Sequence, residues 1–204
     1  MHDARMGGSV VAGRNGASTV REAYDALSGW YDRLAAPGEG AIARLALDLL
    51  SVRAGEYVLE LGPGTGRALP SLLRGVGASG GVFGVDLSLG MLRRSRARLV
   101  AAEQTRHVAL LCGDARHLAL RASALDAVLA VFTLEVLDRP GIMRALAECQ
   151  RVLRPGGRIV VAALSERGSH SILGRLYGAA RARYPLWLNC RPIRADALLV
   201  GAGY

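Results

Sequence analysis

Between Val58 and Gly66 the chain reads Val-Leu-Glu-Leu-Gly-Pro-Gly-Thr-Gly: an aliphatic run takes in an acid, Glu60, and then sets a glycine at every second position. Without side chains at Gly62, Gly64 and Gly66, a turn here lets a ligand meet the backbone directly, and the helix that follows offers its N-terminal amides. The spacing is E-x-G-x-G-x-G rather than the dinucleotide pattern G-x-G-x-x-G. A second acid, Asp86, closes the next apolar run, Gly81 to Asp86. A carboxylate about twenty residues past a glycine turn, at the tip of a second strand, suits the two hydroxyls of a ribose. It would equally serve as an ordinary helix N-cap.

The elements that must hold these residues follow from periodicity. Strands are expected at Tyr57–Leu61, Gly81–Asp86, Val108–Cys112, Asp126–Phe132 and Arg158–Leu164, with helices near 67–76, 90–103 and 140–153 between them. Pro155-Gly156-Gly157 is expected to stop the last helix, with glycine as its left-handed cap. The continuous apolar run after it reads as a strand buried on both faces. Alternating units of this kind imply an α/β fold, a doubly wound, mostly parallel sheet with its ligand at the carboxyl ends of the strands. Glu60, Gly62, Asp86, Asp114 and Phe132 all fall at such ends.

Before the first strand lie a Gly/Ser/Ala-rich tail over 1–18 and two helical patterns over 19–56. Tyr24, Leu27, Tyr31 and Leu34 mark the first pattern, which Pro37-Gly38 ends. The region 19–56 is expected to form a lid over a core spanning 57–204. After the fifth strand come a polar loop over 165–170, a helix near 173–184 and another near 195–202.

Composition limits the chemistry. All 26 basic residues are Arg, so no Schiff-base or phosphate-loop lysine exists, and the net charge is +9. The arginines are scattered, apart from Arg93, Arg94, Arg96 and Arg98, which read as a solvated helix face and make a poor nucleic-acid footprint. Cys112 and Cys149 read as small buried hydrophobes. With Cys190 they form neither a disulfide framework nor a zinc site, and no metal is expected. The absence of a leader or an apolar span points to the cytoplasm.

With Gly113-Asp114-Ala115 and Leu153-Arg154-Pro155-Gly156-Gly157 added, the chain resembles the class I S-adenosylmethionine-dependent methyltransferases. Within them it is most similar to the ubiquinone/menaquinone-biosynthesis-like enzymes, through Tyr31-Asp32, E-L-G-P-G-T-G, V-D-L-S, C-G-D-A, A-E-C-Q-R-V-L-R-P-G-G and C-R-P-I. The resemblance implies a Rossmann-like fold that usually ends in a strand hairpin. No hairpin pattern precedes Tyr204, and a short or truncated C-terminus is expected. It also implies S-adenosylmethionine as cofactor. Gly62, Gly64, Thr65 and Gly66 would cradle its amino-acid part, with Glu60 holding the turn or receiving the ammonium. Asp86 would take the ribose, Leu87 the adenine face, and Asp114 and Ala115 the adenine edge, although Gly-Asp-Ala also reads as a plain turn. Phe132 would line the methionine and acceptor side. Tyr31 would close over the cofactor, with Tyr24, or simply pack. Val131 stands where many quinone methyltransferases carry a small hydroxyl residue.

Methyl transfer from a sulfonium needs positioning and exclusion of water above all. Glu135, His117 and His170 are candidates for a base, His107 reads as a surface residue, and no catalytic residue is assigned. The expected acceptor is a small lipophilic molecule, a phenol or quinol, with peripheral membrane contact left open. A nucleic-acid methyltransferase is the alternative, opposed by Phe132-Thr133-Leu134-Glu135 where an N-P-P-Y-type motif would stand. A silent S-adenosylmethionine-binding domain is another. A nicotinamide dehydrogenase is opposed by the glycine spacing and by the lack of lysine. Oligomeric state is not legible.

Overall fold

A computed structural model describes residues 21–22, 24–25, 36–164 and 192–204. The tail over 1–18, Tyr31, the helix expected near 173–184, His170 and Cys190 lie outside the described residues. Helix α1 (Ala36–Leu50) precedes β1 (Tyr57–Leu61), α2 (Leu69–Val76), β2 (Gly81–Asp86), α3 (Leu89–Ala101) and β3 (Val108–Cys112). The chain continues through β4 (Leu125–Val131), α4 (Arg139–Val152) and β5 (Leu153–Ala162), and α5 (Ala195–Gly201) follows later.

The five strands pair in parallel in the order β3-β2-β1-β4-β5. The direction of sheet growth reverses beside β1, so the loops after β1 and β4 part there and open a crevice. Val58, Leu59 and Leu61 of β1 have no exposed surface. One face of the sheet packs on Ala46 and Leu50 of α1, Leu69, Leu72 and Val76 of α2, and Leu99 of α3. The other packs on Ile142, Leu146, Cys149 and Val152 of α4 and on α5. Helices therefore cover both faces, as the alternation of patterns requires.

Local chemistry sets the boundaries. Ser88 caps α3 by accepting the Met91 N–H, and Asp138 caps α4 by accepting that of Gly141. Asp86 is thus not the cap of α3. Pro37 and Gly38 sit in the first turn of α1, where a proline's missing N–H is harmless.

Three expectations need correcting. Helix α4 ends at Val152, and Leu153 is already extended. Arg154 precedes Pro155 and is barred from the helical region. Leu153 instead pairs with Leu125, and the register then jumps to Ala127 with Arg158, so the Pro-Gly-Gly segment is an irregularity within β5 and not a helix cap. The upper part of β5 is half-buried, because among the described strands it lies at the sheet edge. Cys112 is exposed while Cys149 is buried; β3 is the other edge strand, and Cys112 is its last residue.

The C-terminus of α1 is fastened from β5. Arg158 donates to the Leu50 and Ser51 carbonyls and pairs with Glu56 at 2.7 Å, satisfying carbonyls a helix end leaves open. Its guanidinium holds the Glu56 carboxyl below the ordinary range.

Candidate functional site

Gly62, Gly64 and Gly66 have φ of +68°, +54° and +77°, the left-handed region that glycine enters without a Cβ penalty. The turn is braced from outside. The Gly62 N–H donates to the Val85 carbonyl at 2.8 Å. Ser95 Oγ donates to the Gly64 carbonyl at 2.8 Å, and Arg98 Nε to that of Thr65 at 2.9 Å. Arg98 is therefore half-buried work for the turn, unlike the exposed Arg93, Arg94 and Arg96. A Cβ on Gly64 would meet nothing within 4 Å, because this residue faces an open cavity of about 640 Å³.

Glu60 and Asp86 bring two carboxylates beside the glycine turn in that cavity. Asp86 accepts the Gly64 N–H on Oδ2 at 3.0 Å and the Ser88 N–H on Oδ1 at 2.9 Å. A carboxylate has about four acceptor positions, and the Leu87 N–H also faces this one, so one or two remain. Burial, with the Asp25 charge added, pushes its pKa up, and the Ser88, Gly64 and Leu87 amides oppose that shift. Glu60 is 4% exposed, and its Oε2 has no hydrogen-bond partner. Burial, with the Asp86 charge added, pushes the Glu60 carboxyl up to about 8. An orphaned buried oxygen is costly unless a ligand or water completes it.

Leu87, Asp114 and Ala115 line the same cavity. The Asp114 carboxylate is taken by Arg116 through its backbone N–H, Nε and Nη2, the last at 2.6 Å. This pair holds Asp114 below the ordinary carboxylate range. Phe132, on the opposite wall, has φ of +51°, an uncommon conformation for a residue with a Cβ that is worth about 1–3 kcal/mol of strain. Thr65 is 2% exposed and contributes backbone to the turn.

Of the base candidates, Glu135 is fully buried and accepts the Leu164 N–H on Oε1. It is not on the cavity wall. His117 and His107 are exposed and also away from the wall. Tyr24 and Arg21 reach the cavity from the N-terminal segment, and Arg44 and Leu47 from α1. Sequence reasoning missed Ser95, a single polar residue in a helix that carries no motif, and gave no role to Ser88, the last residue of V-D-L-S. It also missed Arg116, the residue directly after the Gly-Asp-Ala turn. Among the described residues no cluster suited to a metal ion occurs, and no helix is long and apolar enough to cross a membrane.

Residues 58–157 match the methyltransferase domain family. The chain is 35% identical over 154 residues to the ubiquinone/menaquinone biosynthesis C-methyltransferase of Methylococcus capsulatus, an alignment covering 74% of this chain and 61% of that protein. It thus spans about three fifths of the length of this relative. A methyltransferase of known structure from Streptomyces caelestis is 29% identical, with a TM-score of 0.63 over 74% of this chain and 61% of that one. A SAM-dependent methyltransferase from Aquifex aeolicus shares the fold at 19% identity, with a TM-score of 0.64 over 86% and 87% of the two chains.

Proposed function

This chain belongs to the class I S-adenosylmethionine-dependent methyltransferases, and from that membership we propose that it moves the cofactor's methyl group to a small lipophilic acceptor, a phenol or quinol. The family implies S-adenosylmethionine as cofactor, and the cavity fits it. The observation that carries the reading is the pair Glu60 and Asp86 beside a bare glycine turn, one carboxylate with an orphaned oxygen and the other with acceptor capacity left beyond its backbone amides.

When bound, the cofactor supplies an activated electrophile, a methyl group on a sulfonium. Asp86 would accept both ribose hydroxyls, and Leu87 would pack on the adenine face. The Ala115 N–H would meet the adenine edge, while Asp114 would share its carboxylate between Arg116 and the adenine amine. Gly62, Gly64, Thr65 and Gly66 would admit the amino-acid part against backbone, and Glu60, once ionised, would answer its ammonium. Phe132 would limit the methyl side. Tyr24 lines the cavity from the N-terminal segment, and the region 19–56 would act as the lid of the core. These residues hold the reactants in line and keep water away, a contribution of about 7–11 kcal/mol in well-oriented reactions.

Two observations support the acceptor class. Leu47, Val136, Leu137 and Phe132 give the cavity apolar walls, and the relative from Methylococcus is a quinone-pathway C-methyltransferase by name. Calorimetry with S-adenosylhomocysteine tests the cofactor site, and binding of NADH in its place defeats it. Transfer of labelled methyl to a phenolic or quinol acceptor, against carboxylate and nucleic-acid acceptors, tests the substrate class.

A further inference from the structure

Asp25 belongs to the N-terminal helical segment, yet its carboxylate is spent on a loop far away in sequence. Its Oδ1 accepts the Ser88 hydroxyl at 2.5 Å and the Gly90 N–H at 2.8 Å. Both partners lie at the N-terminus of α3, where an anion is favoured by the open amides. Ser88 is fully buried. Its hydroxyl proton goes to Asp25, its Oγ accepts the Met91 N–H, and its own N–H goes to Asp86 Oδ1. One serine therefore joins the N-terminal segment to the acid at the tip of β2.

We propose that Asp25 is a positioning residue that keys the N-terminal segment to the Asp86 loop, so that seating of Arg21 and Tyr24 on the cavity and grip on the ligand at Asp86 are coupled. The proposal rests on the reading that the cofactor's ribose meets Asp86. Arg21 and Tyr24 lie four and one residues before Asp25 and both line the cavity. The groups facing Asp25 electrostatically are Ser88, Gly90, Arg21 and Arg93, which hold its carboxyl below the ordinary range, and Asp86, which it opposes. The two carboxylates repel across Ser88. A diol that donates to Asp86 spreads that charge, eases the repulsion and tightens the Asp25 contact. Coupling in binding is reciprocal, so a seated N-terminal segment tightens the diol in return.

The test uses the full chain and its Asp25→Ala, Asp25→Asn and Asp25→Glu variants, with circular dichroism to establish that each is folded. Calorimetry reads affinity for S-adenosylhomocysteine, and mass spectrometry follows trypsin cleavage after Arg21 with and without it. In the wild-type chain the ligand is expected to slow that cleavage. Asp25→Ala is expected to bind about tenfold more weakly, because both charge-assisted bonds that fix the Asp86 loop are lost, and to lose the ligand-dependent protection. Asp25→Glu should recover part of both, which a purely structural defect would not. Should Asp25→Ala not fold, Asp25→Asn is expected to show the same losses at smaller size, because its amide oxygen accepts both bonds without the charge. Wild-type affinity and protection in a folded Asp25→Ala or Asp25→Asn chain overturn the coupling while leaving the cofactor site standing. No binding by the wild-type chain removes the cofactor reading, and the coupling with it.

Discussion

Gly62 and Thr133 share a space too small for two side chains: a Cβ on Gly62 would stand 2.5 Å from both Cγ2 and Oγ1 of Thr133. Thr133 cannot swing away freely, because its hydroxyl donates to the Leu61 carbonyl at 2.8 Å. The first glycine of the turn is thus required twice, by its φ of +68° and by the residue that closes the crevice from β4.

Gly62→Ala is accordingly expected to destabilise the fold by more than the roughly 1–2 kcal/mol of the left-handed conformation alone. Adding Thr133→Ala should recover the steric part and leave the conformational part. Denaturant titration of both single variants and the double variant checks this. Additive losses would mean that the two residues do not share the space.

Asp86→Ala should weaken S-adenosylhomocysteine binding by about 1.5–3 kcal/mol, the scale of hydrogen bonds to a charged group. Calorimetry measures it. Unchanged affinity in a folded variant would leave Asp86 only the task of holding Gly64 and Ser88.

Glu60 gives a pH signature. Its folded-state value of about 8 lies above the ordinary 4.5, so ionisation costs stability progressively between those values and fully above the upper one. Glu60→Gln should therefore raise the melting temperature more at pH 9 than at pH 5. A cationic ammonium favours the ionised form, so ligand binding near pH 7 should release up to one proton and affinity should climb with pH. Calorimetry in buffers of different ionisation enthalpy reads the proton, and Glu60→Gln should abolish it. Equal proton release by the variant would assign the effect elsewhere.

Arg158→Met should destabilise the protein by about 2 kcal/mol, because the largely buried Glu56 loses its partner and α1 loses its C-terminal anchor. Glu56 titrates below its ordinary 4.5 in the folded state, so this contribution is present above that value and fades as the pH falls through the folded one. Thermal melts of wild type and variant should draw closer in acid without meeting, because the bonds to the Leu50 and Ser51 carbonyls do not titrate.

Much of the frame was legible because the signals were local. β1, β2 and β3 begin and end where the apolar runs do, since their flanks are turn-forming or polar. Glu60 and Asp86 were legible as strand-tip acids for the same reason. What escaped was set by tertiary neighbours. Cys112 ends an apolar run, yet its strand is at an edge. Glu135 has the chemistry of a base, but its carboxylate is turned to the Leu164 amide. Arg98 looked like one more surface arginine until helix α3 laid it against the Thr65 carbonyl. Arg116, close by in sequence, could have been considered as the partner of Asp114.

The strand order carries a consequence for how the cavity comes into being. β1, β2 and β3 are sheet neighbours in chain order, whereas β4 must return to the far side of β1 across a separation of about seventy residues, as in the Tyr57 N–H to Asp126 bond. The crevice lies on that seam, so it exists only after the long-range pairing is made. Refolding should therefore be limited by closure of β4 on β1 and be insensitive to S-adenosylhomocysteine. The ligand should act almost wholly by slowing unfolding, since it has nothing to hold until the seam is shut.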